Sequence, residues 1–233
     1  HPARVLRRGF GFGDGEGEGV VLRIKETGKQ VDRETGKQLV YLSTFVPVYS
    51  VRTITLFTLF GLKTTISPKG IVWFLFLVPW PAWSAARALS LSFWEAVAAG
   101  VLSTLVMYVF EWVHQLGHSL AARRVGYPMI GVHWGWWLSN SVYPKDEPPL
   151  PPRTHIRRAL GGFWINLLIG LALAPAAFYL WPRGDLWSWV VAFTSAWNLF
   201  VLGLGALTPI DIPGVFTIDG GTIWRYWRES RRK

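Results

Sequence analysis

The chain has 233 residues, of which 51% are hydrophobic and 16% charged, and a net charge of +10. Soluble domains carry about a quarter charged residues, and fifteen tryptophans are far more than a soluble core uses. Composition therefore excludes an ordinary soluble enzyme and points to a bilayer, whose interfaces collect indole rings. The absence of cysteine excludes disulfides and thiolate metal sites, leaving His and carboxylate as metal ligands.

The chain begins at His1, which predicts a trimmed or processed product, and no cleavable signal peptide is expected because apolar spans begin only near Ile71. Residues 1–19 alternate glycine with Phe, Asp and Glu. No G-x-G-x-x-G register follows an apolar strand, so a flexible segment is expected rather than a phosphate cradle. A near repeat follows, Glu26-Thr-Gly-Lys-Gln30 and Glu34-Thr-Gly-Lys-Gln38, flanked by strand-like runs at Val20–Lys25 and Leu39–Val46. With Gly28 and Gly36 as turn formers, residues 20–69 are expected to form a small β region. Thr53–Phe60 is a further β-branched, apolar stretch within it.

Four apolar runs, Ile71–Ala86, Phe93–Ala122, Leu160–Trp181 and Trp187–Leu207, approach the length that crosses a bilayer. Lys and Arg fall as eleven before residue 71, six between the second and third runs and five in the tail; the remaining short loops hold only Arg87 and Arg183. That asymmetry is the positive-inside pattern and predicts both termini in the cytoplasm. The basic tail 226–233 then reads as membrane-flanking rather than nucleic-acid-binding. The predicted fold is mainly α: a polytopic membrane protein with about four transmembrane helices over residues 70–225, plus a small cytoplasmic layer of β-hairpin and strand. Pro79 and Pro81 should kink the first span.

In the second span His114 and His118 stand four residues apart. On a helix they share one face and present two imidazoles, the two-histidine half of a zinc site. Glu111 precedes His114 by three residues and is a candidate partner for that histidine, or equally for Arg123 or Arg124. Glu95 belongs to the outer interface. Met129–Leu138 alternates, with Ile130, Val132, Trp134, Trp136 and Leu138 on one side, and predicts a strand at the membrane surface. Such a strand would either receive an extended substrate on its edge or pack on headgroups. Five prolines make Pro144–Pro152 a rigid connector. His155 and His133 read as solvated histidines, and the intramembrane amides Asn166 and Asn198 as helix-to-helix ties. Pro209-Ile-Asp211-Ile-Pro213 ends the fourth span, and Asp219-Gly220-Gly221 follows. By the charge count both aspartates return to the side of His114 and His118.

Together the run Glu111-Trp-Val-His114-Gln-Leu-Gly-His118-Ser-Leu-Ala-Ala-Arg-Arg124, the Gly162…Asn166 element, Pro209 and Asp219-Gly220-Gly221 resemble the site-2 protease family of intramembrane zinc metalloproteases, over roughly residues 55–225. The entry Phe60-Gly61-Leu62…Ser67-Pro68 is similar as well. The resemblance implies zinc held by His114, His118 and Asp219, with Asp211 the rival carboxylate, and Asn166 holding the substrate backbone or developing oxyanion. It implies an endopeptidase cleaving transmembrane or membrane-associated protein substrates near the cytoplasmic face of a prokaryotic cell membrane. Its expected partners are such a substrate and the lipid bilayer, with no nucleic acid.

Three departures from the family pattern stand out. Phe163 occupies a place where the family usually has proline, the segment from Pro209 to Asp219 is long, and no PDZ-sized insertion is present. The fourth departure concerns chemistry. Gln115 stands where the family has its general-base glutamate, and an amide accepts no proton at neutral pH; losing such a base costs about 10²–10⁴ in rate. The chain therefore reads as an inactive form. Two origins are open: an engineered Glu-to-Gln change, favoured by the near-isosteric swap and the non-Met start, or a natural pseudoprotease acting as a non-catalytic membrane adaptor. A transporter or channel, suggested by Glu95, Glu111, Asn166 and Asn198 within spans, is the remaining alternative.

Overall fold

The computed structural model describes residues 53–136, 138–212 and 216–231, together with two short strands in residues 29–40. The glycine-rich segment 1–19, the run Val20–Lys25, Trp137, Pro213 and the last two residues lie outside the described ones. The chain divides into a unit of residues 1–50 and a unit of residues 51–233.

In the first unit, β1 (Lys29–Val31) pairs antiparallel with β2 (Gln38–Val40), with Lys29 opposite Val40. The strands take Lys29, Gln30 and Gln38 from the two repeats.

The second unit opens with β3 (Ile54–Leu59) and β4 (Leu62–Ile66), joined by Phe60 and Gly61, both at positive φ (51° and 78°). Such a pair matches the right-handed twist of a two-residue hairpin. Beside them stand β5 (Gly131–Trp134) and β6 (Ser139–Val142), giving the order β3-β4-β5-β6 with β4 and β5 parallel. The single strand expected over Met129–Leu138 is thus shorter and returns as a second strand. Val132 and Trp134 face inward as expected, whereas Ile130 and Trp136 are exposed. Leu62 and Val132 pack with Met129 on Ala122 near the end of the second span, and the Trp112 indole donates to Thr64 Oγ1 at 3.1 Å. This contact lays the sheet along that helix.

Four helices are long and apolar enough to cross a membrane, spanning Pro68–Leu89, Phe93–Arg124, Pro152–Arg183 and Leu186–Leu207. Each contains the run expected from the sequence, and together they make the chain a membrane protein. The first comprises α1 (Pro68–Leu77), capped by the Ser67 hydroxyl, and α2 (Pro79–Leu89), which begins at the predicted proline break. The second span is α3 (Phe93–Arg124), started by a capping box in which Ser92 and Glu95 bond reciprocally. That capping role explains a carboxylate at this position. At 32 residues it measures about 48 Å, well over the roughly 30 Å of a hydrocarbon core. About three turns of it therefore extend beyond the hydrocarbon core. The third span is α4 (Pro152–Leu180). The fourth begins as α5 (Leu186–Ala196), widens to a π-helix over Trp197–Leu204 and tightens to a 3₁₀ turn at Gly205–Leu207. A two-residue strand pair, β7 (Asp211–Ile212) and β8 (Phe216–Thr217), leads to α6 (Asp219–Ser230).

The α3–α4 contact fixes the site. A Cβ on Gly117 would lie 2.3 Å from the Gly161 carbonyl oxygen, and one on Gly161 would lie 2.5 Å from that of Gly117. Only a glycine pair admits this approach, the small-residue packing that lets membrane helices touch backbone to backbone.

Candidate metal centre

One stripe of α3 carries Glu111, His114, Gln115 and His118, all buried. Four-residue spacing aims both imidazoles at α4, with ring centroids 4.7 Å apart and planes at 76°. Asp219 arrives as the first residue of α6. The two following glycines bring that helix onto the end of the fourth span, where a Cβ on Gly220 would lie 2.2 Å from the Leu207 and Thr208 carbonyl oxygens. The Asp219 Oδ2 then sits 3.0 Å from His114 Nε2 and 3.2 Å from His118 Nε2. One ligand atom from each residue falls within 4.8 Å of the others.

The outer nitrogens settle which atoms are free to bind. His114 Nδ1 lies 3.1 Å from Asn166 Oδ1, and the Asn166 amide donates to the Phe110 carbonyl at 3.1 Å and to Asn198 Oδ1 at 2.7 Å. With its NH₂ consumed, Asn166 offers only its oxygen, so His114 Nδ1 carries a proton. His118 Nδ1 faces the Arg158 backbone oxygen at 2.8 Å and carries one too. In the neutral imidazoles both Nε2 atoms then present lone pairs toward a carboxylate oxygen. Three acceptors repel one another unless a cation stands among them, and an acceptor hydrogen-bonded to the distal nitrogen is the usual companion of a metal-bound histidine. Space is reserved as well: a Cβ on Gly162 would fall 2.4 Å from His114 Nε2 and 2.6 Å from His118 Nε2. The donor set, the locked tautomers and the reserved space all fit a divalent cation.

Asp211, the rival carboxylate, is outside this group. It receives Arg225 Nε at 2.9 Å and Thr217 Oγ1 at 2.6 Å, and these bonds hold its carboxyl below the usual range. Asn166 is fully buried and spent on His114, Phe110 and Asn198, so in this arrangement neither amide hydrogen is directed at substrate. Gln115 turns to β6, its Oε1 accepting from Ser141 Oγ at 2.6 Å and its Nε2 donating to the Ser139 carbonyl at 3.4 Å. Glu111 takes neither partner expected of it. Its Oε1 accepts from the Ser139 amide at 3.1 Å and the Ser139 hydroxyl at 2.9 Å.

A cavity of about 610 Å³ opens over these groups, and Glu111, Gln115, Ser141, Tyr143, Glu147 and His155 are among the side chains lining it. Sequence reasoning missed its far wall. Arg158 is 4% exposed, donates to both carboxylate oxygens of Glu147 (Nη1–Oε2 2.9 Å) and to the Tyr127 carbonyl, and lies 4.1 Å over the Tyr143 ring. Those bonds hold the Glu147 carboxyl below the usual range. His155, read as solvated, stacks on Tyr226 of α6 at 3.9 Å. Position in the first turns of α4, one and two turns before Gly162, was the only sequence signal for these residues.

No family profile matches the chain and no curated protein does. Among solved structures it is similar to the site-2 protease from Methanocaldococcus jannaschii, at 19% identity and a TM-score of 0.52, over 77% of this chain and 73% of that one. The chain has the fold of a site-2 protease.

Proposed function

We propose that the chain is an intramembrane zinc metalloendopeptidase in a form whose residue 115 does not take up protons. One observation carries the reading: two imidazole Nε2 atoms, bared by protons locked on both Nδ1 atoms, converge with Asp219 Oδ2 beneath an open cavity. His114, His118 and Asp219 would hold Zn²⁺. When bound, the ion supplies Lewis acidity toward a peptide carbonyl and acidifies water near neutral pH. Asn166 and the Arg158 carbonyl hold the imidazoles in their binding tautomers, and Asn166 acts through His114. Gln115 donates and accepts hydrogen bonds but cannot relay a proton to a departing amine. The substrate class that suits a cavity lined by the second, third and fourth spans is a transmembrane or membrane-associated protein, cleaved on the cytoplasmic side after local unwinding.

Restoring the carboxylate tests this reading. Gln115→Glu, incubated with a model transmembrane peptide, should cleave it about 10²–10⁴-fold faster than the parent and stop on chelation. No chelator-sensitive cleavage across several such peptides would count against the protease reading.

A second reading, the natural pseudoprotease acting as an adaptor, draws on the fit of Gln115. Its Nε2 meets a carbonyl oxygen, where glutamate would set a second oxygen against the Ser139 carbonyl one turn from the Glu111 carboxylate. Under this reading Gln115→Glu loosens β6 and yields no cleavage.

A further inference from the structure

Among the described residues, helix α6 packs against the rest of the chain at its start and along two flanks. At its start Gly220 and Gly221 lie against the carbonyls of Leu207, Thr208 and Ile210. On one flank Arg225 is paired with Asp211; on another Tyr226 stacks on His155. The remaining stripe, at spacings of three, four and seven residues, is Trp224, Trp227, Arg228 and Arg231. Trp224 and Trp227 are 47% and 37% exposed and stack on each other at 5.1 Å. Arg228 lies 6.0 Å over the Trp224 ring and Arg231 lies 4.1 Å over that of Trp227. Just before it in the chain, strands β7 and β8 expose Ile212 (44%) and Phe216 (39%), beyond the exposed Leu207 and Ile210 at the end of the fourth span.

Exposed stacked indoles are unfavourable in water, and arginines laid across them keep their charge available on the outer side. An aromatic belt with basic heads, continuous with a membrane span, matches the headgroup layer, where indoles sit at the acyl boundary and guanidiniums meet anionic phosphate. We propose that α6 is an interfacial anchor whose Trp224–Trp227–Arg228–Arg231 stripe docks on the anionic headgroup layer of the leaflet at the metal-centre end of the protein. Because Asp219 is the first residue of that helix, the bilayer becomes part of what holds the third ligand against His114 and His118. This last consequence rests on the zinc reading; the docking does not.

The chain has no cysteine, so a single nitroxide is easily placed. Trp227→Cys, spin-labelled in the full-length protein, is reconstituted in bilayers of phosphatidylcholine alone or mixed with phosphatidylglycerol, and its depth read from oxygen and nickel-chelate accessibility. Labels at Asp146→Cys and Leu168→Cys serve as aqueous and lipid references. The expected result is a label about 5–10 Å below the headgroup–acyl boundary in the anionic bilayer, and a shift toward water when Arg228→Gln and Arg231→Gln are added. A label as water-accessible as that at Asp146 in both bilayers overturns the proposal. So does an immersion that appears only with dipolar broadening between copies, which would assign the stripe to a second chain. Neither outcome depends on metal or cleavage, so failure here is separate from failure of the protease reading.

Discussion

Gly162→Ala probes the metal centre through a single methyl group. On propensity alone the change favours a helix by about 1 kcal/mol, and α4 runs unbroken through this position. The added Cβ, however, would lie 2.4 Å from His114 Nε2, 2.6 Å from His114 Cε1 and 2.6 Å from His118 Nε2. Ordinary contact for such atoms begins near 3.4 Å, so the rings must retreat by about 1 Å. That is several times the roughly 0.2 Å tolerance of zinc–nitrogen bonds. Helix α4 cannot yield instead, because Gly161 is already against Gly117. Overpacking of this kind costs about 1–3 kcal/mol, which if drawn wholly from binding lowers zinc affinity by about 5- to 160-fold. The assay is competition for zinc between the detergent-solubilised protein and a chromogenic chelator, with thermal unfolding of both apo forms measured in parallel. The expected pattern is weakened zinc binding with apo stability changed little, since propensity and strain partly offset. Wild-type zinc affinity in Gly162→Ala would refute the assignment of this space to a metal ion.

Asn166→Ala removes the acceptor for His114 Nδ1 and should weaken zinc binding about 10–100-fold, as read by the same competition. Zinc added to the apo protein at 100 times its Kd should stabilise it by about 2.7 kcal/mol, a shift in thermal midpoint that a chelator reverses and His118→Ala abolishes. Glu147→Ala leaves Arg158 buried without its carboxylate, so a loss of about 3–5 kcal/mol is expected in urea unfolding. The same pair sets a pH dependence. The Glu147 carboxyl is lowered by its bonds to Arg158, so its contribution is complete above the ordinary glutamate range and is lost as pH falls through the lower value of the folded protein. Glu147→Gln should flatten stability against pH in that acidic window.

The spans and the two-histidine face were legible because their signals are local, whereas the choice of Asp219 over Asp211 came from the family resemblance. Twenty-residue apolar runs announce membrane helices, a four-residue repeat puts two histidines on one face, and Asp-Gly-Gly marks a backbone that must come close. What stayed hidden depends on pairing at a distance. Strand β4 carries Lys63, Thr64 and Thr65, a polar run without apolar alternation, and only docking against α3 and β5 makes it a strand. Glu111 meets Ser139 across 28 residues of sequence, a partner that no helical spacing suggests. Arg158 and His155 looked like two members of a basic cluster. Their neighbours Arg153 and Arg157 do face outward, whereas Arg158 turns in because Glu147 and Tyr143 lie on that side of α4.

The intramembrane amides show why polar groups persist where burial penalises them. Asn198 is the second residue of the π-helical stretch; its amide donates to the Thr194 carbonyl at 2.8 Å and its oxygen accepts from Asn166. Asn166 in turn accepts from His114, and His114 faces Asp219. Donation runs in one direction, from His114 to the fourth span, and each link leaves the next group a single donor or acceptor choice. An apolar substitute at either amide would pack, but it would free the imidazole to flip or change tautomer and so to present an N–H where a lone pair is needed. Two helix-to-helix ties thus also fix which nitrogen of His114 faces Asp219. The wider π-helical turn at Asn198, of a kind that recurs at functional sites, belongs to the same arrangement.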